Sequence, residues 1–287
     1  MELSAQAGYT DLMEGDLTVN WALGVETPED ETLSQAELAL DQGDAPSAIH
    51  LCNQVLARSP NHAGALFIAG GAFRSLRDLT EAEHRYRQAI HFVRKHSPSW
   101  SGLASVLFDQ LKFKQAHTAA LTAIRLYNAN SEGYWIRGLV REWHGNDMGA
   151  VRDFRRAWRL SGHWYPRPLW LSNDTVRDLL KQVAASLPDP IRHYLSGCTW
   201  VIREVPKKNT CRIYDPHAIP TELLCHLSIP TQSPHAVHSI LSTTLYVYRR
   251  NIQRLFDNKD QLFDQLRSMV FHELHDLLQS SQMHLAD

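Results

Sequence analysis

Small and apolar residues recur along the first half of the chain at one fixed interval. Ala48, Ala82, Ala116 and Ala150 are each 34 residues apart, and so are Val55, Ala89, Ala123 and Ala157, and Ala36, Gly70, Ala104 and Gly138. Coincidence can supply one such column, but not three in register over four copies without an insertion. The pattern predicts a helix–turn–helix unit. The Ala36/Gly70 column lies on the first helix. The other two columns lie seven residues apart on the second helix, so they share one face at two turns. Small side chains at these places let two helix backbones approach closely. Leu66, Phe73, Tyr86, Trp100, Leu107, Tyr134 and Phe154 fill the alternate slots, and Gly43-Asp44 and Gly145-Asn146-Asp147 supply breaks between helices. One such unit cannot cover its own apolar face, whereas stacked units bury a continuous core.

The period stops after Leu160. The run from Ser161 to Pro168 holds two prolines that disfavour an immediate restart. Ser172-Asn173-Asp174 then reads as the cap of a helix ending near Leu187-Pro188. Two β-rich runs follow, Cys198–Ile202 and Ser242–Tyr248, with an irregular stretch from Asp215 to Pro234 between them. A last helix is expected from about Asp260 to Gln279, with Leu262, Leu266, Met269, Val270, Leu274 and Leu277 at helical spacing.

A length of 287 residues suits about two domains. The division predicted is an acidic mobile tail over 1–30, a helical repeat domain over 31–168 and an α+β domain over 169–287. Hydrophobic residues make up 44% and charged residues 21%, so a packed core is within reach. The net charge of −2 argues against a nucleic-acid binder. No apolar run is long enough for a membrane span, and the start shows no signal-peptide pattern, which predicts a cytoplasmic protein. The four cysteines form no C-x-x-C pair and read as reduced, buried thiols. The charge is unevenly placed: residues 1–30 carry seven acids and no lysine or arginine.

The 34-residue pattern over about 29–164 resembles the tetratricopeptide repeat (TPR) in four units. The resemblance implies a helical superhelix whose first helices line a concave face that binds a protein or peptide partner. Projected onto this sequence, that face carries Phe67, Arg74, Phe108, Trp135 and Trp143. Leu33, Phe67, Ser101 and Trp135 occupy a row where carboxylate-clamping families place lysine and asparagine, so that clamp is not expected. A second candidate surface is the stripe Arg152, Arg155, Arg156 and Arg159, at i, i+3, i+4 and i+7 on one helix. It reads either as a solvated face or as a dock for acidic groups of a partner or of the chain's own tail.

The C-terminal motifs are similar to those of the small bacterial zincin-like metallopeptidase-type proteins. The matching residues are Leu187-Pro188 with Val201–Pro206, Asp215–Pro220 with Leu223-Leu224, Leu245–Ile252, and His272-Glu273. In that family the final helix carries H-E-x-x-H, in which histidines at i and i+4 face one Zn²⁺ and the glutamate activates a bound water. Here His272 and Glu273 match, Asp276 holds the second histidine's place, and Gln279 holds that of a following glycine. Three outcomes stay open. The site is dead and no cofactor is expected; or Asp276 joins His272 as a zinc ligand with Glu273 catalytic; or His272 and His275 hold a shifted metal with His284. His217, His226, His235 and His238 match no metal spacing and read as surface histidines. The favoured expectation is a non-enzymatic interaction scaffold with a degenerate zincin-like domain. The alternative is a zinc metallopeptidase whose repeats present substrate.

Overall fold

The computed structural model describes residues 28–162, 164–165, 171–214, 219–228, 244–255 and 262–272. The chain forms two compact units, divided between Arg167 and Pro168. The first is a stack of four helix pairs: α1 (Pro28–Asp41) with α2 (Ala45–Arg58), α3 (Ala63–Ser75) with α4 (Leu79–Phe92), α5 (Ser97–Asp109) with α6 (Phe113–Leu126), and α7 (Ser131–Trp143) with α8 (Asp147–Leu160). Each second helix packs on the first helix of the next pair, and α3, α5 and α7 also touch in turn. Every member of the three small-residue columns is buried, most of them completely.

The four turns inside the pairs share one conformation. Residues 43, 77, 111 and 145 all take a left-handed φ, at 82°, 65°, 61° and 73°. Glycine accepts this freely at Gly43 and Gly145, whereas Arg77 and Leu111 carry the steric cost of a Cβ there. The next residue caps the second helix in three of the four pairs. Asp44, Asp78 and Asn146 accept from the amides of Ser47, Glu81 and Gly149 at 3.0–3.1 Å. The Asp44 carboxyl is held below its ordinary pKa by the hydrogen bonds from Ser47. Lys112 stands at the same place in the third pair and makes no such bond.

Glycines in the small columns answer aromatic wedges. A Cβ on Gly70 would lie 2.9 Å from the Tyr86 ring, and one on Gly102 would lie 2.4 Å from the same ring. Tyr86 is therefore clamped between its own first helix and that of the next pair, 1% exposed. Phe154 sits likewise against Gly138, where a Cβ would come within 2.6 Å. Where the first helix carries alanine, at Ala36 and Ala104, the residues at the wedge position are the small Cys52 and Ala120.

The second unit begins with α9 (Asn173–Ser186), capped by Ser172, which accepts from the Thr175 amide. It continues through α10 (Asp189–Ser196), β1 (Thr199–Arg203), α11 (Lys208–Tyr214), β2 (Cys225–Ser228), β3 (Thr244–Tyr248), α12 (Arg249–Leu255) and a helix over 262–272, here α13. The sheet runs β1-β3-β2, with β1 parallel and β2 antiparallel to β3. Trp200, Ile202, Leu245 and Val247 share one face, and they join the core of Val176, Leu180, Val183, Leu195, Leu262, Leu266 and Val270. Asn251 is fully buried and donates to the carbonyls of Pro220 and Leu223, while Gln253 donates to that of Leu171. Arg249 and Arg250 both reach Glu204. Among the described residues, no helix is long and apolar enough to cross a membrane.

Candidate functional site

The third and fourth pairs gather most of the polar chemistry of the repeat unit. Asp153 is buried and accepts from Arg137 Nε and Nη2 at 2.8 and 2.6 Å, and from Arg141 Nη1 at 2.8 Å. A carboxylate so enclosed is stable only because charge-assisted bonds satisfy it. The Arg137 guanidinium is held above its ordinary pKa, chiefly by that bond. Two guanidinium groups against one carboxylate leave a net positive charge. Partial burial, with that field added to it, pushes the nearby His117 down, so its ring is neutral at neutral pH.

Beside this node a groove of about 440 Å³ runs between α6 and α7, over a floor of Phe113 and Val140. Its titratable lining is Lys114, His117, Arg141 and His144, without a single acid. A smaller groove of about 320 Å³ lies between α4 and α5, with Arg87 and Arg94 over Ile90, Trp100 and Leu103.

The structure places the projected concave residues differently from the sequence reading. Phe67 is 0% exposed and packs on Tyr86 and His96, and Phe108 is 1% exposed against Phe113 and Trp143. Neither can touch a partner. Helices α3 and α5 are small or apolar on nearly every side, and such helices become enclosed instead of displaying a face. Trp135 is half-buried between Phe154 and Tyr165, with ring centroids at 4.9 and 5.1 Å. Trp143 is half-buried and stands behind Phe113 at 5.2 Å, so it props the α6/α7 groove from within. Arg74 donates to the buried Asp109 at 2.8 Å and ties α3 to α5. Serines and amides continue this stitching between first helices: Asn130 donates to Ser97, and Ser105 to Glu132.

Arg152, Arg155, Arg156 and Arg159 are all exposed on α8, as the spacing predicted for one face. Arg156 lies over the Tyr134 ring at 5.8 Å. Among the described residues, no carboxylate pairs with any of the four.

In the second unit a cleft of about 520 Å³ is floored by Leu180, Leu195, Trp200 and Ile202 and rimmed by Arg177, Lys181 and Arg192. These cations already pair with Asp174, Asp178 and Asp189 along their own helices. His226, read from sequence as a surface residue, is buried. It stacks on Tyr246 at 4.8 Å and meets the Tyr248 hydroxyl at 2.8 Å, and burial lowers its pKa. Of the residues that the sequence reading compared with a zinc motif, His272 is exposed at the end of α13, beside Phe271. Glu273, His275, Asp276 and His284 lie outside the described residues, as do His217, His235 and His238. Among the described residues, no three His, Cys, Asp or Glu side chains are grouped as metal ligands. In the sequence, Asp276 stands four residues after His272, where an H-E-x-x-H pair would carry its second imidazole.

A tetratricopeptide-repeat family profile matches residues 33–96, the first two of the four units. The chain is similar to the solved structure of PilF from Pseudomonas aeruginosa, at 20% identity, covering 58% of this chain and 70% of that one with a TM-score of 0.45. It is similar to TTC0263, a thermophilic TPR protein of Thermus thermophilus, at 16% identity, covering 57% and 95% with a TM-score of 0.43. YrrB, described as a TPR protein with an unusual peptide-binding site, aligns at 18% identity over 46% and 68% with a TM-score of 0.38. No curated protein matches the chain by sequence.

Proposed function

We propose that this chain is a non-catalytic protein-interaction scaffold, and that its repeat unit binds an acidic partner segment through an apolar anchor. One observation carries the reading: every titratable side chain lining the α6/α7 groove is a base, above a floor of Phe113 and Val140. Buried apolar contact supplies affinity in such a groove, and the charges select and orient the partner. The binding surface is the α6/α7 groove in place of the inner aromatic row, with Trp143 acting behind it. In the same proposal the C-terminal unit keeps a degenerate zincin-like fold without turnover, since the second imidazole of the zinc motif is replaced by Asp276.

Panning a displayed random-peptide library on the chain tests this reading. Enriched peptides are expected to set one or two acids beside a large apolar residue. Lys114→Glu with His144→Glu, both exposed, should weaken the selected peptides at least tenfold and leave the helical circular dichroism unchanged. Enrichment of basic or uncharged peptides, or equal binding by the double variant, refutes it.

A further inference from the structure

Helix α8 differs from its counterparts on one face. The positions of its four arginines correspond to His50, Asn53, Gln54 and Ala57 in α2, and in α4 and α6 they hold one arginine each, Arg87 and Arg125. Stacking of the repeats therefore does not call for arginine there. Met148, 74% exposed, belongs to the same row as Arg152 and adds an apolar centre to the cationic face. Four like charges at helical spacing repel one another, and no described carboxylate relieves them.

The chain itself carries the complement. Residues 1–44 hold eleven acids and no lysine or arginine, whereas residues 45–160 hold sixteen lysines and arginines against eight acids. The densest complement is Asp11-Leu12-Met13-Glu14-Gly15-Asp16-Leu17, which interleaves three acids with apolar side chains. We infer that this acidic block of one copy docks on the α8 arginine face of a second copy, with its apolar residues against Met148. Tether length favours a second copy over the chain's own α8. Ten residues, eleven Cα–Cα steps, separate Leu17 from Pro28, a reach of about 40 Å at full stretch. The α7/α8 pair lies three pair steps along the stack from the α1/α2 pair, since α1, α3, α5 and α7 touch in turn, and at one helix spacing a step that is roughly 30 Å. A tether drawn out to most of its reach to cover that distance gives up most of its conformations, whereas a second copy presents α8 without that constraint.

The surface is separate from the α6/α7 groove, so the two ideas can fail independently. The test uses light-scattering mass measurement on the full chain and two full-length variants. One is Asp11→Asn/Glu14→Gln/Asp16→Asn. The other is Arg152→Gln/Arg155→Gln/Arg156→Gln/Arg159→Gln, at exposed positions that leave the core untouched. The parent should self-associate at micromolar concentration in low salt and dissociate as salt rises. Each variant alone should be monomeric, and an equimolar mixture should regain a two-chain species, because one supplies the acidic block and the other the arginine face. A parent that stays monomeric while the mixture associates shows docking within one chain and overturns the second-copy assignment. Association that survives in either variant, or a mixture that stays monomeric, overturns the pairing altogether. Dissociation of the mixture by an equally charged oligonucleotide at the same concentration as by a synthetic 1–27 peptide shows unspecific attraction of polyanions and also overturns it.

Discussion

Glu37 is a carboxylate in a place the repeat elsewhere fills without charge. The same position holds Gly71, Ser105 and Leu139 in the other pairs. Its Oε1 atom is buried with no hydrogen-bond partner. Burial, with Asp41 adding to it, pushes the carboxyl up from 4.5 to about 7. The folded chain therefore binds more protons than the unfolded chain between those two values. Stability is fully present below about pH 4.5, falls as pH rises towards 7, and levels off above. At about 1.4 kcal/mol per pH unit the whole shift is worth roughly 3 kcal/mol, and partial exposure brings this nearer 2. Glu37→Leu copies the fourth pair's own residue, and it should stabilise α1 and its neighbours by about 2 kcal/mol at pH 8. At pH 5 the gain should be far smaller, since the parent carboxyl is then mostly protonated. Urea titrations followed by circular dichroism at both pH values measure this. The Cys52 thiol, fully buried and pushed up to about 12 by burial and in part by Glu37, should react more slowly with a thiol reagent at pH 8 in the variant, because the reagent reaches it only through local opening. Parallel pH profiles for parent and variant, or a variant less stable at pH 8, refute the reasoning.

Two further outcomes test the packing and the broken motif. Gly138→Ala should destabilise by about 1–3 kcal/mol, because its Cβ meets the Phe154 ring. In a Phe154→Ala background the same change should cost little or even stabilise, since it recreates the Ala104/Ala120 pair; additive losses in a thermal-denaturation cycle contradict the wedge account. Zinc titration of the parent and of Asp276→His should show tighter binding only in the variant, which restores histidines at i and i+4. One tightly held zinc in the parent, together with a peptidase activity that Glu273→Gln abolishes, would establish the enzyme reading instead.

The repeat was legible because closely packed helices tolerate only small side chains at fixed points, and the chain repeats those points without insertion. The wedges were not legible from any single column. Cys52, Tyr86, Ala120 and Phe154 vary from small to large, and only the match to the facing residue is constant. Projection onto a helix face gave the direction of Phe67 and Phe108 but not what encloses them. The all-round apolar character of α3 was the signal that could have corrected it. Arg77 and Leu111 left no mark of their left-handed backbone, since neither residue type favours it. In the second unit α9, β1 and β3 followed from caps and β-branched runs. Helix α10 is absent from the sequence reading, which ends a helix near Leu187-Pro188 and places nothing before Cys198, although a proline such as Pro190 suits a helix's first turn. Strand β2, at four residues, is too short to show alternation. Asn251 and Arg250 were noticed as motif residues, and the structure gives them architectural work, anchoring a loop and pairing with Glu204.

The Tyr86 clamp also bears on how this chain was assembled and can be rearranged. A solenoid with identical joints can lose, gain or exchange a module by recombination and still close. Here the residue that receives the Tyr86 ring in the next pair is Gly102, whereas the equivalent position one pair later is Ile136. Excising the third unit in frame would set Ile136 against that ring. The modules are equal in length but keyed to their neighbours, so their order is written into the joints, and shuffling that preserves the period still breaks the fit.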